Sequence, residues 1–349
     1  MTVLERRALP ILQRVDAETV HRLALAAAKI HLLPRPGPIS STRLRTHVAG
    51  LDLPNPVGLA AGIDKSATAI APLLQTGIGF LEAGAVTPLP QTGNPKPRLF
   101  RLVPDRALIN RMGFNNDGAR KAATRLSRRP KSGILGLNLG ANRSSRDPAD
   151  DFAKVLEMCG PFVDFATINV SSPNSAGIRD LQRPAALGHA IARVSEVRRS
   201  LPRPIPVFVK VSPDLDDAAI ATISDIVLDT DVAGVIATNT TTNRSDVSDP
   251  LARKAGGLSG RPLFPRSTRV LAQFHSCLGN RRPLIGVGGI ATAGDAYAKI
   301  RAGASAVQLY SALAFQGFSL IGSIVSGLDG LLKRDGFSNV SEAVGADSI

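Results

Sequence analysis

Residues 165 to 177 read F-A-T-I-N-V-S-S-P-N-S-A-G, an apolar run that breaks abruptly into hydroxyls, amides, a proline and a glycine. Pro173 fixes φ, the side chains of Asn174 and Ser175 can bond their own backbone, and Gly177 permits φ > 0, so the polar half reads first as a turn. It fits equally an active-site loop at the carboxyl end of a barrel strand, where side chains converge on a ligand. The choice depends on whether the rest of the chain repeats this step from apolar to polar.

It does so eight times. Strand-like runs begin with N-P-V-G-L-A-A-G at 55, G-F-L-E-A-G-A-V at 79, G-I-L-G-L-N-L-G at 133 and F-A-T-I-N-V at 165. V-F-V-K-V at 207, G-V-I-A-T-N at 234, L-I-G-V-G-G at 284 and A-V-Q-L-Y at 306 complete the set. Helical patterns between them are long enough to carry each crossover to a parallel neighbour. Eight β/α units predict a closed TIM (β/α)8 barrel rather than an open doubly wound sheet. Residues 88 to 114 break the rhythm with the turn-rich P-L-P-Q-T-G-N-P-K-P, an extra strand at R-L-F-R-L and the polar cluster N-R-M-G-F-N-N at 110 to 116. A long loop of this kind inside a compact domain is usually functional.

With 349 residues and 44% hydrophobic content the chain buries a large core, which excludes disorder and fibrous classes. Aromatic residues are only 4% and Trp is absent, so base-stacking platforms for single-stranded nucleic acid are not expected. Cys159 and Cys277 lie far apart without metal-ligand spacing and read as reduced core residues, and the histidines suggest no metal cluster. The formal charge of +14 points to an anionic partner, which nucleic acid, an acidic membrane or a small acidic substrate would each satisfy. No apolar run approaches the roughly 20 residues that span a bilayer.

Residues 1 to 40 differ in character from 41 to 349. Stretches 2 to 14 and 17 to 32 read as two short helices, the second capped by Asp16, with Arg6, Arg7, Arg14, Arg22 and Lys29 interleaved among apolar residues, before a stiff P-R-P-G-P at 34 to 38. Such a pair either packs on the barrel or lies in a membrane interface, basic residues toward headgroups and apolar ones toward acyl chains.

Barrel strand ends share one rim, so Asp64 and Lys65, Asn138, Asn169 to Asn174, and Thr238, Asn239 and Thr240 become neighbours around a single pocket. That convergence favours the active-site reading of N-V-S-S-P-N. G-V-G-G-I at 286 to 290 and Y-S-A at 310 to 312 end the last two strands, where backbone N–H groups suit a phosphate. With G-G-L-S-G at 256 to 260 they suggest a phosphorylated cofactor over the barrel mouth. Lys210 sits between Phe208, Val209 and Val211; pointing inward, its charge would stabilise a reduced, anionic flavin. No G-x-G-x-x-G follows the first strand, so flavin fits better than nicotinamide.

A-A-G-I-D-K at 60 to 65, P-R-L-F-R-L at 97, N-R-M-G-F-N-N at 110, N-V-S-S-P-N at 169, T-N-T at 238 and G-G-L-S-G at 256 occur in this order. Together they resemble dihydroorotate dehydrogenase of the membrane-associated, quinone-dependent class, across essentially the whole chain. A tRNA dihydrouridine synthase is also a flavin barrel, but it normally uses a catalytic cysteine, and neither cysteine here lies in a rim motif.

The resemblance implies a flavin mononucleotide (FMN) enzyme of pyrimidine biosynthesis that oxidises (S)-dihydroorotate to orotate and passes electrons to ubiquinone or menaquinone. It gives Ser172 the place of the catalytic base. It assigns flavin contacts to Ala61, Gly62, Ile63, Asp64, Lys65, Asn138, Asn169, Lys210, Thr238, Gly260, Gly289, Tyr310 and Ser311. Ala85 stands where a hydroxyl residue commonly meets the flavin, and Ser175 replaces the usual threonine. Substrate contacts fall on Lys65, Asn110, Arg111, Met112, Gly113, Phe114, Asn169, Asn174, Asn239 and Thr240. His21, Arg101 and Tyr310 match positions lining the quinone site. The implied partners are substrate, quinone and the cytoplasmic side of the cell membrane, on which the protein would sit peripherally; neither nucleic acid nor an iron–sulfur subunit is expected.

Overall fold

The computed structural model describes residues 2–173 and 177–347, so Asn174 and Ser175 lie outside the described residues. Strands are numbered along the chain: β1 (Thr46–Val48), β2 (Leu51–Leu53), β3 (Val57–Leu59), β4 (Phe80–Val86), β5 (Leu99–Leu102), β6 (Ala107–Asn110) and β7 (Ile134–Leu139). There follow β8 (Phe165–Asn169), β9 (Val207–Val211), β10 (Gly234–Ala237), β11 (Gly257–Gly260), β12 (Leu284–Val287) and β13 (Ala306–Leu309). The eight runs expected from the sequence, β3, β4, β7, β8, β9, β10, β12 and β13, pair in parallel in that order and close into a barrel.

The lumen is filled by the period-2 alternation of its strands. At the amino end Phe80, Phe165 and Phe208 meet edge to face, with ring centroids 6.1 and 5.8 Å apart. Neighbouring strands make room with glycine: a Cβ on Gly58 would sit 2.6 Å from the Phe80 ring, and one on Gly136 2.1 Å from the Phe165 ring. Val48 and Leu53 of the β1–β2 hairpin pack into the same cluster and cover this end. Two residues further along the same rows stand Glu82, Asn138, Thr167, Lys210 and Gln308, all buried. Alternation thus stacks a polar layer on an aromatic plug, and the next step reaches the mouth.

The long loop and G-G-L-S-G join in one structure. β5 and β6 form a hairpin, and β11 pairs antiparallel with β6 to give a three-stranded sheet over the mouth. Glycine permits the approach: a Cβ on Gly257 would fall 1.9 Å from Thr240 Oγ1. Helices α1 (Val3–Leu12) and α2 (Ala17–Lys29) complete the cover. Thr2 and Glu5 form a reciprocal cap on α1, and Asp16 accepts the Thr19 N–H at 2.8 Å on α2. α2 ends earlier than its apolar pattern, because His31 turns to φ +66° ahead of Pro34.

These helices are attached through polar groups. Glu18 forms a buried two-pronged pair with Arg98, at 3.0 and 2.8 Å, and Glu5 accepts the Ser319 N–H at 2.9 Å. Their outer surface mixes apolar and basic residues: Ile11 and Ile30 are each 67% exposed and Leu23 is 51% exposed, and Arg6, Arg7, Arg14, Arg22 and Lys29 are exposed beside them. Among the described residues no helix is long and apolar enough to cross a membrane.

Candidate active site

The strand ends and the covering sheet enclose a cavity of about 650 Å3, within the size range of ligand sites. The turn after β3 contributes Ala61, Gly62 and Lys65. β4 brings Ala85, and β7 and β8 bring Asn138, Asn169 and Ser172. β9 and β10 add Lys210, Thr238, Asn239 and Thr240. The covering loops supply Asn110, Met112, Gly113, Phe114 and Gly260, and the last two strands Gly289, Tyr310 and Ser311.

Other expected residues stand behind this lining. Asp64 is buried and accepts the Thr68 and Ala69 N–H groups at 2.8 and 2.7 Å, fixing the A-G-I-D-K turn that presents Lys65. Ile63 belongs to the surrounding core. Arg111 turns away, donating to the Pro97 carbonyl at 2.9 Å and stacking 5.4 Å over Phe100. Arg101 donates to the carbonyls of Gln13 and Val15, both at 3.0 Å, and so ties the α1–α2 turn to β5. His21 reaches from α2 to place Nδ1 3.0 Å from the Tyr310 hydroxyl.

A single hydrogen-bonded chain organises the floor. Glu82 accepts Asn138 Nδ2 at 2.7 Å and Gln308 Nε2 at 2.8 Å, one on each oxygen. Asn138 Oδ1 therefore faces the rim and accepts Asn169 Nδ2 at 2.8 Å. Asn169 Oδ1 accepts Asn239 Nδ2 at 3.3 Å, and Asn239 Oδ1 accepts the Thr240 N–H at 2.8 Å. Both Glu82 oxygens accept, so Glu82 dictates which end of every amide above it points where. The sequence signal for this anchor was an acid inside the apolar run F-L-E-A-G-A-V, with a matching amide in A-V-Q-L-Y.

Charge is concentrated and incompletely neutralised. Burial lowers the Lys65 ammonium to about 8, and its Nζ donates to the Gly62 carbonyl. Lys210 is buried and has no carboxylate partner among the described residues. Burial, with Lys65 nearby, lowers His21 to about 3, so its imidazole is neutral, and burial pushes the Tyr310 phenol above its usual range. Gln308 Oε1 and Thr240 Oγ1 are buried on residues lining the cavity, without partners among the described residues. Neither the Gly289 nor the Ser311 N–H donates to an acceptor among the described residues. The arrangement accommodates a polar planar ring, an anion at the glycine end and a carboxylate beside Lys65, with the Ser172 hydroxyl at its edge. Cys159 lies in the core, its thiol pushed up to about 12 by burial, and the described residues form no metal-binding cluster.

Comparison with known proteins agrees with this geometry. Residues 43–332 match the family described as Dihydroorotate dehydrogenase. A Dihydroorotate dehydrogenase (quinone) of Cereibacter sphaeroides is 57% identical over 346 residues, covering 99% of this chain and 98% of the relative. One from a Chelativorans species is 45% identical, covering 98% and 96%. A DHODH crystal structure from Eimeria tenella with ferulenol superposes with a TM-score of 0.91 at 35% identity, covering 95% of this chain and 96% of that one. Its ligand-free counterpart gives 0.92 at 35% identity, covering 96% and 100%. Motif order, barrel, cavity and relatives converge: the chain belongs to the dihydroorotate dehydrogenase family.

Proposed function

We propose that this protein oxidises (S)-dihydroorotate to orotate in pyrimidine biosynthesis, with FMN as cofactor and a membrane quinone as final acceptor. The family is flavin-dependent, and its quinone-named relatives match nearly the full length of this chain. The observation that carries the reading is the amide chain rooted on Glu82, which ends at Asn169 and Asn239 in the same cavity as Ser172 and Lys65.

Bound flavin supplies a hydride acceptor and a two-electron store. Lys210, facing the lumen, would hold the ring and favour its reduced, anionic form, and Gln308 Oε1, its Nε2 committed to Glu82, would accept a ring N–H; the N–H groups of Gly289 and Ser311 would hold its phosphate. Lys65 and the amides of Asn110, Asn169 and Asn239 hold the substrate's carboxylate and ring carbonyls; Asn174 joins them by family resemblance. Ser172 would take the C5 proton as its own hydroxyl proton passes to a neighbouring acceptor or solvent, while the C6 hydride would leave to the flavin. A serine hydroxyl is a weak base, so the amides aimed at the substrate carbonyl also stabilise the enolate that develops as that proton leaves.

The helix pair takes the quinone. Glu5 and Glu18 face the barrel, while Ile11, Leu23 and Ile30 are exposed among the outward cations Arg6, Arg7, Arg14, Arg22 and Lys29. That polarity suits a membrane interface on the cytoplasmic side, with the quinone entering between α2 and Tyr310 beside a neutral His21. Residues 1 to 40 form the membrane-associating unit and 41 to 349 the catalytic barrel in this reading.

The test is the visible spectrum of the purified protein without oxygen. Dihydroorotate should bleach a flavin band, and a soluble quinone analogue should restore it. A band that dihydroorotate leaves unchanged would refute the substrate; a band that bleaches but never returns with quinone would refute the acceptor.

A further inference from the structure

Lys299, on the helix Ala293–Arg301, is 0% exposed, and no carboxylate among the described residues forms an ion pair with it. Its Nζ donates to Ser267 Oγ at 2.9 Å and Thr268 Oγ1 at 3.1 Å and lies 5.1 Å over the Phe264 ring. Asp295, one turn earlier, acts on it only at longer range, its carboxylate bonded to the Ala291 N–H at 2.9 Å. An ammonium sealed from water on two hydroxyls and a ring is poorly compensated, and burial lowers Lys299 to about 7.

The hydroxyl beneath it leads to the cavity. The single Ser267 hydroxyl proton is shared between the Gly288 carbonyl at 3.0 Å and the Phe264 carbonyl of its own helix at 3.1 Å. The Gly288–Gly289 peptide is trans, so its C=O and N–H point in opposite directions. Drawing the carbonyl outward to Ser267 turns the Gly289 N–H toward the cavity that both glycines line, where no described residue accepts it. No side chain fits there: a Cβ on Gly288 would lie 2.8 Å from Ser267 Oγ, and one on Gly289 2.5 Å from Phe264 Cβ. Cation, hydroxyl, peptide dipole and N–H stand in series, and the cavity end of that series takes an anion.

We propose that Lys299 is a positioning residue for the phosphate of FMN, fixing the Gly289 donor through Ser267 and placing a buried positive charge behind it. The inference rests on the flavin reading above and adds a residue that touches neither substrate nor ring. A lysine that merely packed two helices together would not distinguish a flavin with a phosphate from one without.

The purified holoenzyme is equilibrated with mixtures of FMN and riboflavin, and the bound flavins are separated and quantified. Wild type should retain the phosphorylated form almost exclusively. Lys299→Met should move the bound ratio toward riboflavin by roughly ten- to a hundredfold, the scale of one charge-assisted hydrogen-bond array. Ser267→Ala, which keeps the charge but cuts the relay, should move it the same way by less, and it carries the test alone if Lys299→Met does not fold. An unchanged ratio in the folded variants would overturn the proposal. Wild type that binds neither flavin would overturn the cofactor reading on which it rests.

Discussion

The strand-end wall of the cavity and the helix wall that lies outside its lining are built by opposite rules. The strand-end wall buries its polar groups and fixes them: one carboxylate, Glu82, sets the direction of the Asn138, Gln308, Asn169 and Asn239 amides in turn. The helix wall uses Glu18 and Glu5 for attachment, to Arg98 and Ser319, and leaves Ile11, Leu23 and Ile30 facing outward among exposed cations. The first arrangement selects one rigid polar ligand. The second sets Arg6, Arg7, Arg14, Arg22 and Lys29 among exposed apolar residues and suits an interface that is apolar within and anionic at its surface. If each wall serves its own half-reaction, a substitution in one should damage that half and spare the other.

The strongest separation is expected from Ser172→Ala. Loss of a general base typically costs about 10²- to 10⁴-fold, so flavin reduction by dihydroorotate should slow by that order while flavin content is kept. Reoxidation of chemically reduced enzyme by quinone should be unaffected. Stopped-flow absorbance without oxygen reads both halves. Reduction at near wild-type speed would remove Ser172 from the chemistry.

The helix wall is tested by deleting residues 1 to 40, or more gently by Leu23→Ser with Ile30→Ser. Burying a leucine or isoleucine is worth about 1.5–3 kcal/mol, so the double substitution should weaken sedimentation with lipid vesicles by at least roughly tenfold. Turnover with a long-tailed quinone should fall in parallel, and reduction by dihydroorotate should persist. Vesicle binding that survives the deletion would show that the outward apolar face has another purpose.

The two walls were unequally legible. All eight barrel strands stood out because each apolar run ends in a polar break, and the same breaks pointed to the cavity residues. The β1–β2 hairpin escaped because T-H-V and L-D-L are too short to show alternation. Motif reading grouped Arg111 with its neighbours in N-R-M-G-F-N-N, yet the side chain turns onto Pro97 and Phe100, a direction no local pattern specifies. The hydroxyls and glycines of G-G-L-S-G suggested a phosphate loop; the glycines also serve the close packing of a strand against Thr240 and Arg106. Lys299 gave no signal, since a lysine in A-Y-A-K-I-R looks like any other on a helix, and only burial distinguishes it.

Whether Glu82 sets the direction of the strand-end wall is tested by Glu82→Gln. The neutral amide can offer an N–H where Asn138 needs an acceptor, so the chain loses its fixed polarity without a change of shape. Misorientation of buried hydrogen bonds costs about 1–3 kcal/mol, which predicts a rise in KM for dihydroorotate of roughly tenfold or more. Adding Asn138→Asp should reverse much of it: the amide introduced on β4 then donates to the carboxylate introduced on β7, whose other oxygen still accepts from Asn169. Failure of that rescue, with both proteins folded, would mean that the charge of Glu82 matters by its position rather than by the direction it imposes.

The smallest effect is a pH dependence confined to the same wall. Burial lowers Lys65 to about 8, so in the free enzyme its ammonium is charged below that value and neutral above it. In the proposed complex a carboxylate beside Lys65 needs that charge, and its binding raises the lysine's value in turn. KM for dihydroorotate should therefore be flat from about pH 6 to near 8 and climb by at most roughly tenfold per unit beyond it. Lys65→Met should bind weakly throughout and show no such rise. Because the imidazole of His21 stays neutral over this whole range, reoxidation by quinone should show no step near the Lys65 value of about 8, and a shared step would mean that the two walls are not independent.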